Sequence, residues 1–215
     1  MVRVDDTELL EDPALPEDVA ATAYRDLART QRLLGNTRAI LRRLECERGK
    51  MKRVLDIGCG QGALLEQIRR HFGVDVVGID LRPAPSAPVP IVTGNAAVDP
   101  LPPADVAVSI CLAHHLSEAD VLNLIRNVSK SCRRLILVDL VRHWIPLTLF
   151  RVFMSPFLHR INAADGITSI KRSYTPRELR NIVDEALRGA DASIVHTVAP
   201  FYIRQIIDVS FRTAR

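Results

Sequence analysis

The stretch VLDIGCGQGALLEQI, residues 54–68, holds three glycines between an apolar run and an amphipathic one. The apolar run predicts a buried strand, and the amphipathic run predicts a helix. Glycine permits a sharp turn and close approach of a ligand to the main chain, and the first N–H groups of a helix have no intrahelical partner. A strand-to-helix connection without a ligand needs one glycine rather than three. The stretch therefore predicts a binding loop at the start of a helix.

Strand and helix patterns alternate from residue 53 to residue 140. This alternation predicts parallel βαβ units, and hence an α/β sheet with helices on both faces. Near the end of the chain, ASIVHTV and YIRQIIDVSF predict a hairpin whose last strand runs antiparallel to the others. Before the alternation, apolar residues at three-, four- and seven-residue steps predict a helical cap over residues 1–50, in which the first sixteen or so form a loose arm or a first turn. Residues 51–215 are the predicted core.

The bulk properties limit the class of protein. A chain of 215 residues is long enough for one domain with a cap, and its net charge of +4 permits an acidic partner without requiring one. The four cysteines form no CxxC pair, which favours a reducing, cytoplasmic location over a disulfide framework. The longest apolar run, residues 144–158, contains an arginine and two prolines and is too short to span a bilayer. Peripheral contact with a membrane and the oligomeric state stay open.

Two kinds of ligand suit the glycine loop. The spacing G-x-G-x-x-A fits the looser dinucleotide fingerprint of oxidoreductases. However, Asp56 precedes the first glycine by two residues, where a carboxylate suits a cationic group of a ligand and is a poor neighbour for a pyrophosphate. The full spacing is D-x-G-x-G-x-G.

VLDIGCGQG resembles the first motif of class I S-adenosylmethionine (SAM) dependent methyltransferases, and VVGIDLRP resembles their second-strand motif. The resemblance implies a doubly wound, seven-stranded, mostly parallel sheet with an antiparallel last strand, and SAM as the cofactor. The loop from Gly58 to Gly62 would hold the methionyl part of SAM, and Asp80 would accept hydrogen bonds from both ribose hydroxyls. The full set of implied cofactor residues is Asp56, Gly58, Cys59, Gly60, Gly62, Asp80, Leu81, Asn95, Ala96 and Ser109.

After the third strand this family usually has an acid that contacts adenine, and here Asn95 stands in its place. An amide oxygen can still accept a hydrogen bond from the adenine N6 amine. Ala96 would contribute its backbone N–H.

The segment LAHHLSEAD follows the fourth strand and resembles the corresponding segment of methyltransferases similar to the ubiquinone and menaquinone biosynthesis enzymes. A structural and a catalytic role are both open for this histidine pair. His114, His115 and His143 are the candidate bases for a phenol or enol acceptor. Adjacent histidines diverge on a helix or strand, and no third ligand stands at a familiar spacing, so we expect no metal site.

An inserted segment, about residues 142–170, is expected to form a lid over the sheet edge where the cofactor lies. It resembles segments of methyltransferases from bacterial polyketide and quinone pathways, although an aromatic stripe is also typical of a core. The implied acceptor is a hydrophobic, aromatic or quinone- or polyketide-like small molecule, methylated on an O or C atom. Its candidate contacts are Trp144, Phe153, Arg172 and Tyr174.

Three other functions are considered. An arginine-rich helix around residues 25–53 suits an RNA or other nucleic-acid methyltransferase, but no aromatic residues alternate with these arginines as stacking platforms. We therefore expect no nucleic-acid partner. A dinucleotide oxidoreductase is disfavoured by Asp56 and the terminal hairpin. A partner-binding protein without turnover is not supported by any visible feature, because the cofactor motifs are intact apart from Asn95.

Overall fold

The structure, a computed structural model, describes residues 1–11, 14, 16–82 and 87–212. Its centre is a seven-stranded sheet. The strands are β1 (Arg53–Ile57), β2 (Asp75–Asp80), β3 (Ile91–Thr93), β4 (Val106–Ile110), β5 (Arg134–Asp139), β6 (Ala192–Val198) and β7 (Gln205–Phe211). The α-helices are α1 (Glu17–Leu33), α2 (Asn36–Leu44), α3 (Ala63–Phe72), α4 (Glu118–Ser131), α5 (Trp144–Leu149), α6 (Arg160–Arg172) and α7 (Pro176–Ala186).

The strand order is β3-β2-β1-β4-β5-β7-β6. The pairings from β3 through β5 are parallel, whereas β7 lies antiparallel between β5 and β6. The order reverses between β1 and β4, and open parallel sheets bind ligands at such a reversal, beyond the carboxyl ends of the strands. The predicted fold class, including the antiparallel last strand, is confirmed.

The two faces of the sheet form two apolar clusters, because side chains alternate along each strand. Leu55 of β1 packs in the cluster that α4 and α7 cover, whereas Val54 packs in the cluster that α2 and α3 cover. Both side chains are fully buried. The strand ends at the reversal point are therefore held by packing on both sides.

The antiparallel junction of the sheet carries a buried ion pair. Arg134 of β5 donates two hydrogen bonds to Asp208 of β7, with Nε–Oδ1 and Nη2–Oδ2 distances of 2.8 and 2.7 Å. Its Nη1 lies 3.0 Å from Oε1 of Glu47. Because Arg134 is only 8% exposed, this pair joins the hairpin and the helical cap to the parallel core.

The first eleven residues are ordered by contacts with distant parts of the chain. The Arg3 guanidinium donates to the carbonyl oxygens of Arg172 and Leu116, at 2.6 and 2.9 Å. The backbone N–H groups of Leu9 and Leu10 donate to the Asp165 carboxylate, at 2.7 and 3.0 Å. Of the two alternatives predicted for this segment, a loose arm and a first turn, the structure agrees with a turn, since a 3-10 turn forms at Leu9–Glu11 and residues 1–11 are held by these contacts; residues 12, 13 and 15 lie outside the described part.

The predicted lid consists of α5, a π-helical turn at Phe150–Met154, a 3-10 turn at Ser155–Phe157 and most of α6. Helix α6 packs against α1, against the Leu9–Glu11 turn and against a 3-10 turn at Ala113–His115. The arm, α1 and α6 therefore cover the turn that follows β4. Among the described residues, no helix is both long enough and apolar enough to span a membrane.

Candidate functional site

The glycine loop connects β1 to α3 at the carboxyl edge of the sheet. Gly58, Gly60 and Gly62 all have left-handed backbone conformations, with φ of 71°, 53° and 76°. A Cβ at Gly62 would lie 2.5 Å from Val89 Cγ2, so only glycine fits there. A Cβ at Gly60 would meet no atom within 4 Å. The tip of the loop therefore faces open space, as a loop that receives a ligand requires.

Asp80, at the end of β2, holds the loop in place. Its Oδ2 accepts a hydrogen bond from the Gly60 N–H at 2.8 Å, and its Oδ1 accepts one from the Arg82 N–H at 2.9 Å. The carboxylate that the sequence assigns to a ribose is thus also a partner of the loop's backbone. Each of its oxygens retains a lone pair for a further donor.

A cavity of about 90 Å³, the glycine-loop cavity, opens beside this carboxylate. Five of the predicted cofactor residues line it, and further residues from β1, β2, α4 and the turns after β3 and β4 complete it. The lining residues are Ile57, Gly58, Ile79, Asp80, Leu81, Gly94, Asn95, Ala96, Ala97, Leu112, Leu116 and Leu124.

Asp56 is a buried carboxylate next to this cavity. It is 3% exposed, and no described residue donates a hydrogen bond to its side chain. Burial, with a contribution from the nearby Asp80 carboxylate, raises the pKa of Asp56 well above its usual range. A buried carboxylate without a donor is costly on its own and is stabilised by a cationic group of a ligand.

Three other predicted cofactor residues have contacts within the protein. The Ser109 hydroxyl donates to the Ile57 carbonyl at 2.9 Å and ties β4 to β1. The Cys59 sulfur occupies the space that a Cβ at Gly78 would need, so it packs the loop onto β2. Asn95 Oδ1 accepts from the Ala97 N–H at 3.0 Å, which closes a turn and leaves one lone pair of that oxygen for adenine.

A second cavity, of about 100 Å³, lies between the arm, α1, α6 and the turn after β4. We call it the lid cavity. Its wall is mostly apolar, and polar residues of the arm, α1, α6 and that turn complete it. The lining residues are Glu8, Leu10, Leu27, Thr30, Gln31, Leu34, Cys111, His114, His115, Leu140, Phe150, Leu158, Asn162, Asp165, Gly166, Ser169 and Ile170.

The turn at residues 111–116 is a wall of both cavities. Cys111, His114 and His115 line the lid cavity, whereas Leu112 and Leu116 line the glycine-loop cavity. Cys111 has a left-handed φ of 55°, which is uncommon for a residue other than glycine. Its N–H donates to the Val138 carbonyl at 2.8 Å, which anchors the turn to β5. This turn is therefore the boundary that the two cavities share.

The adjacent histidines face the same cavity. Residues 113–115 form a 3-10 turn, and the ring centroids of His114 and His115 lie 4.2 Å apart with an interplanar angle of 37°. The sequence-based premise that the two side chains diverge is therefore wrong. His114 is 2% exposed, and its Nδ1 lies 2.6 Å from Oδ1 of Asp139, whose other oxygen accepts the His114 N–H at 2.9 Å.

Glu8 of the arm lies against both rings. Its Oε1 is 3.6 Å from Nε2 of His114 and 3.9 Å from Nε2 of His115, and it accepts a hydrogen bond from the Ser169 hydroxyl at 2.6 Å. Burial raises the pKa of the Glu8 carboxyl, against the opposing effect of His115. We call Glu8, His114 and His115 the polar wall of the lid cavity.

The remaining catalytic and substrate candidates do not line either cavity. His143 accepts a hydrogen bond from the Ile145 N–H at 3.2 Å at the start of α5, and its ring stacks on Tyr202 at 4.3 Å. Trp144 and Phe153 point outward and are 63% and 67% exposed.

The last two substrate candidates hold the arm instead. Tyr174 is 2% exposed and donates its hydroxyl to the Leu116 carbonyl at 2.8 Å, under the Arg3 guanidinium, and the Arg172 carbonyl accepts from Arg3. Phe150 and Ile170 supply the apolar lining that these candidates were expected to supply.

Sequence reasoning missed Glu8, Gln31, Asp139 and Asp165. Asp139 carries a signal that could have been used, since it ends β5 as Asp80 ends β2 and so lies at the same edge of the sheet. Glu8 carries none, because its neighbours in the sequence form no regular pattern.

Comparisons with known proteins agree with this geometry. A family model described as a methyltransferase domain matches residues 27–186. No curated protein matches the sequence.

Several solved structures share the fold. The plantazolicin methyltransferase BpumL, in complex with a monoazolic desmethylPZN analog and SAH, aligns with a TM-score of 0.70 at 13% identity, over 91% of this chain and 90% of that chain. A putative O-methyltransferase from Nostoc punctiforme aligns with a TM-score of 0.64 at 15% identity, over 97% of this chain and 64% of that chain. The methyltransferase domain of bacterial CtHen1-C aligns with a TM-score of 0.58 at 13% identity, over 84% of this chain and 98% of that chain.

Proposed function

Because this chain belongs to the family of methyltransferase domains and is a SAM-dependent methyltransferase, we propose that it methylates an oxygen or carbon atom of a hydrophobic, ring-containing small molecule bound in the lid cavity. The observation that carries this proposal is the turn at residues 111–116, which lines the glycine-loop cavity on one side and the lid cavity on the other. Methyl transfer requires the acceptor atom to contact the methyl group on the side opposite sulfur, so the two sites must meet through an opening beside the turn that they share.

The glycine-loop cavity is the proposed SAM site. Its lining by Asp80, Leu81, Asn95 and Ala96 supports a ribose and adenine position, and the open space at Gly60 supports a methionyl position along the loop. SAM supplies an activated methyl group on a positively charged sulfur. The unpartnered Asp56 carboxylate suits that positive ligand electrostatically.

The lid cavity supports a hydrophobic acceptor. Its apolar lining excludes water from the reacting groups, and the transferred charge disperses in the transition state, so few dipoles are needed. The polar wall is where a heteroatom of the acceptor would lie. It favours an oxygen acceptor, since His114 and His115 are positioned to hold a hydroxyl group and draw off its proton.

A methyl-labelling experiment with two matched phenylalanine variants tests this proposal. Phe150 lines the lid cavity, whereas Phe157, in the same lid, is 84% exposed and lines neither cavity. Labelled SAM is incubated with a metabolite extract and each protein. Phe150→Ala should lower transfer into organic-extractable small molecules, and its SAM affinity should stay unchanged, while Phe157→Ala should behave as the parent protein.

Two results would contradict the proposal. Equal transfer by Phe150→Ala and Phe157→Ala would show that the acceptor binds outside the lid cavity. Label recovered in RNA rather than in small molecules would favour the nucleic-acid alternative.

A further inference from the structure

The polar wall has the spacing of a set of metal ligands. Nε2 of His114, Nε2 of His115 and Oε1 of Glu8 belong to three side chains whose ligand atoms all lie within 4.8 Å of one another. The arm supplies the carboxylate, and the 3-10 turn after β4 supplies both imidazoles. The three side chains are thus brought together by the fold and not by sequence spacing.

The distances within the wall are too long for hydrogen bonds. N–H···O bonds have heavy-atom distances of about 2.7–3.2 Å, whereas Glu8 stands 3.6 Å from one ring and 3.9 Å from the other. A tetrahedral ion with bonds of about 2.1 Å places its ligand atoms about 3.4 Å apart. The spacing therefore corresponds to an ion between the three groups better than to direct pairing of the groups.

Further contacts orient these side chains as they are oriented in metal sites. Ligating histidines usually donate the other ring N–H to a carboxylate, and His114 Nδ1 lies 2.6 Å from Asp139. That contact directs Nε2 towards Glu8. The carboxylate of Glu8 accepts the Ser169 hydroxyl at 2.6 Å, which limits its rotation. The side chain of His115 is 26% exposed, so the cluster is open to solvent on that side.

We propose that Glu8, His114 and His115 bind a divalent cation of the zinc type, with the fourth coordination position open to the lid cavity. Two histidines and one glutamate form a ligand set that suits Zn²⁺ and leaves one position for a water or a substrate oxygen. This reverses the expectation drawn from the sequence. The site goes beyond methyl transfer, since binding of the ion requires neither SAM nor an acceptor.

The cation would bind and activate the hydroxyl group of the methyl acceptor. An acceptor hydroxyl in the fourth position would lie at the boundary of the two cavities, where coordination would lower its pKa and let it release its proton to water. Its oxygen would then take the methyl group while the S–CH3 bond of SAM breaks and the electron pair stays on sulfur, giving SAH. The histidines then act as ligands and not as proton acceptors. This consequence rests on the proposed function, whereas the site itself does not.

Zinc titration of the whole chain tests the site. After treatment with a chelator, ZnCl₂ is titrated against a competing chromophoric chelator, and CoCl₂ is added separately to record the visible spectrum of a tetrahedral site. A Cys46→Ser background removes the exposed thiol as a rival ligand. We expect one zinc ion per chain, and weakening by at least about tenfold in Glu8→Gln and in His115→Asn.

His71→Asn is the matched control. His71, in the last turn of α3, forms an exposed pair with Glu45 at 2.7 Å and lines neither cavity, so its loss should leave zinc affinity unchanged. SAM affinity, measured on every variant, reports whether the core is still folded. The proposal is overturned if folded Glu8→Gln binds zinc as tightly as the parent, or if His71→Asn loses as much affinity as His115→Asn. Loss of the cation site with methyl transfer intact would leave the proposed function standing.

Discussion

Gly60 and Gly49 offer a matched test of the glycine loop. Both have left-handed backbones, with φ of 53° and 77°, and a Cβ at either would meet no atom within 4 Å. Gly49 lies in the connection before β1, away from both cavities. Replacing each by alanine therefore imposes the same kind of backbone strain, and only Gly60→Ala places a methyl group where we propose that SAM lies.

The expected free-energy changes distinguish backbone strain, which both variants share, from a clash with bound SAM, which only Gly60→Ala would cause. A left-handed conformation costs an L-residue about 1–2 kcal/mol. Alanine also lowers the conformational entropy of the unfolded chain relative to glycine, which stabilises the folded state by about 0.4–1 kcal/mol. Both variants should therefore lose roughly 1 kcal/mol in free energy of unfolding, which for a chain of this size lowers Tm by about 2–4 °C. A methyl group forced into a filled site costs about 1–3 kcal/mol, so Gly60→Ala should bind SAM about 5- to 150-fold more weakly.

Isothermal titration with SAM and with SAH, beside urea unfolding, measures both quantities. Gly49→Ala should keep the parent affinity for both ligands. If Gly60→Ala binds SAM as tightly as Gly49→Ala does, the space at the loop tip is not the cofactor's, and the reasoning from the glycine geometry fails.

Three further results are expected. Asp80→Ala should weaken SAM binding by about 1–3 kcal/mol in calorimetry, because the variant loses both the ribose acceptor and the bond to Gly60, and Asp80→Asn should lose less; unchanged affinity would remove Asp80 from the site. Burial raises the pKa of Asp56 above 3.8, so its contribution to the stability of the fold is full below about pH 4 and is lost as pH rises through the folded pKa. In urea unfolding without cofactor, the free energy of unfolding of Asp56→Asn should therefore increase relative to that of the parent protein as pH rises. A difference between the two proteins that stays constant with pH would refute this. Arg134→Met should cost about 1.5–3 kcal/mol in urea unfolding, because Asp208 loses both hydrogen bonds from Arg134 and, among the described residues, keeps only Arg43, at 3.7 Å, and adding Asp208→Asn should restore part of that loss; a cost below about 0.5 kcal/mol would contradict the ion pair's structural role.

Features of the fold that depend on local patterns could be predicted from the sequence. The three glycines, the alternation of strands and helices and the terminal hairpin are each encoded within a few neighbouring residues, and the sheet followed from them. The assignment of Asp80 to the site comes from the resemblance of VVGIDLRP to the second-strand motif of the methyltransferase family, and the structure adds its bond to the Gly60 N–H.

The polar wall could not be predicted in this way. Glu8 meets His114 across more than a hundred residues of sequence, and no periodicity connects an irregular arm to a turn after β4. The premise that adjacent histidines diverge holds for regular helices and strands and fails in the short 3-10 turn that this chain forms.

The lid shows the same limit at smaller scale. Phe150 and Phe153 are the same residue type three positions apart, yet Phe150 lines the lid cavity and Phe153 is 67% exposed. A π-helical turn runs through both positions, and such turns have no clear sequence signature. Composition could suggest an aromatic lid but could not say which ring faces inward.

The turn at residues 111–116, which lines both cavities, would couple the binding free energies of the two proposed ligands. If SAM and the acceptor occupy the two cavities as we propose, a shift of Leu112 or Leu116 that accommodates SAM would also move His114 and His115, which line the acceptor's cavity. By linkage, the factor by which bound SAM changes the affinity for the acceptor would equal the factor by which bound acceptor changes the affinity for SAM.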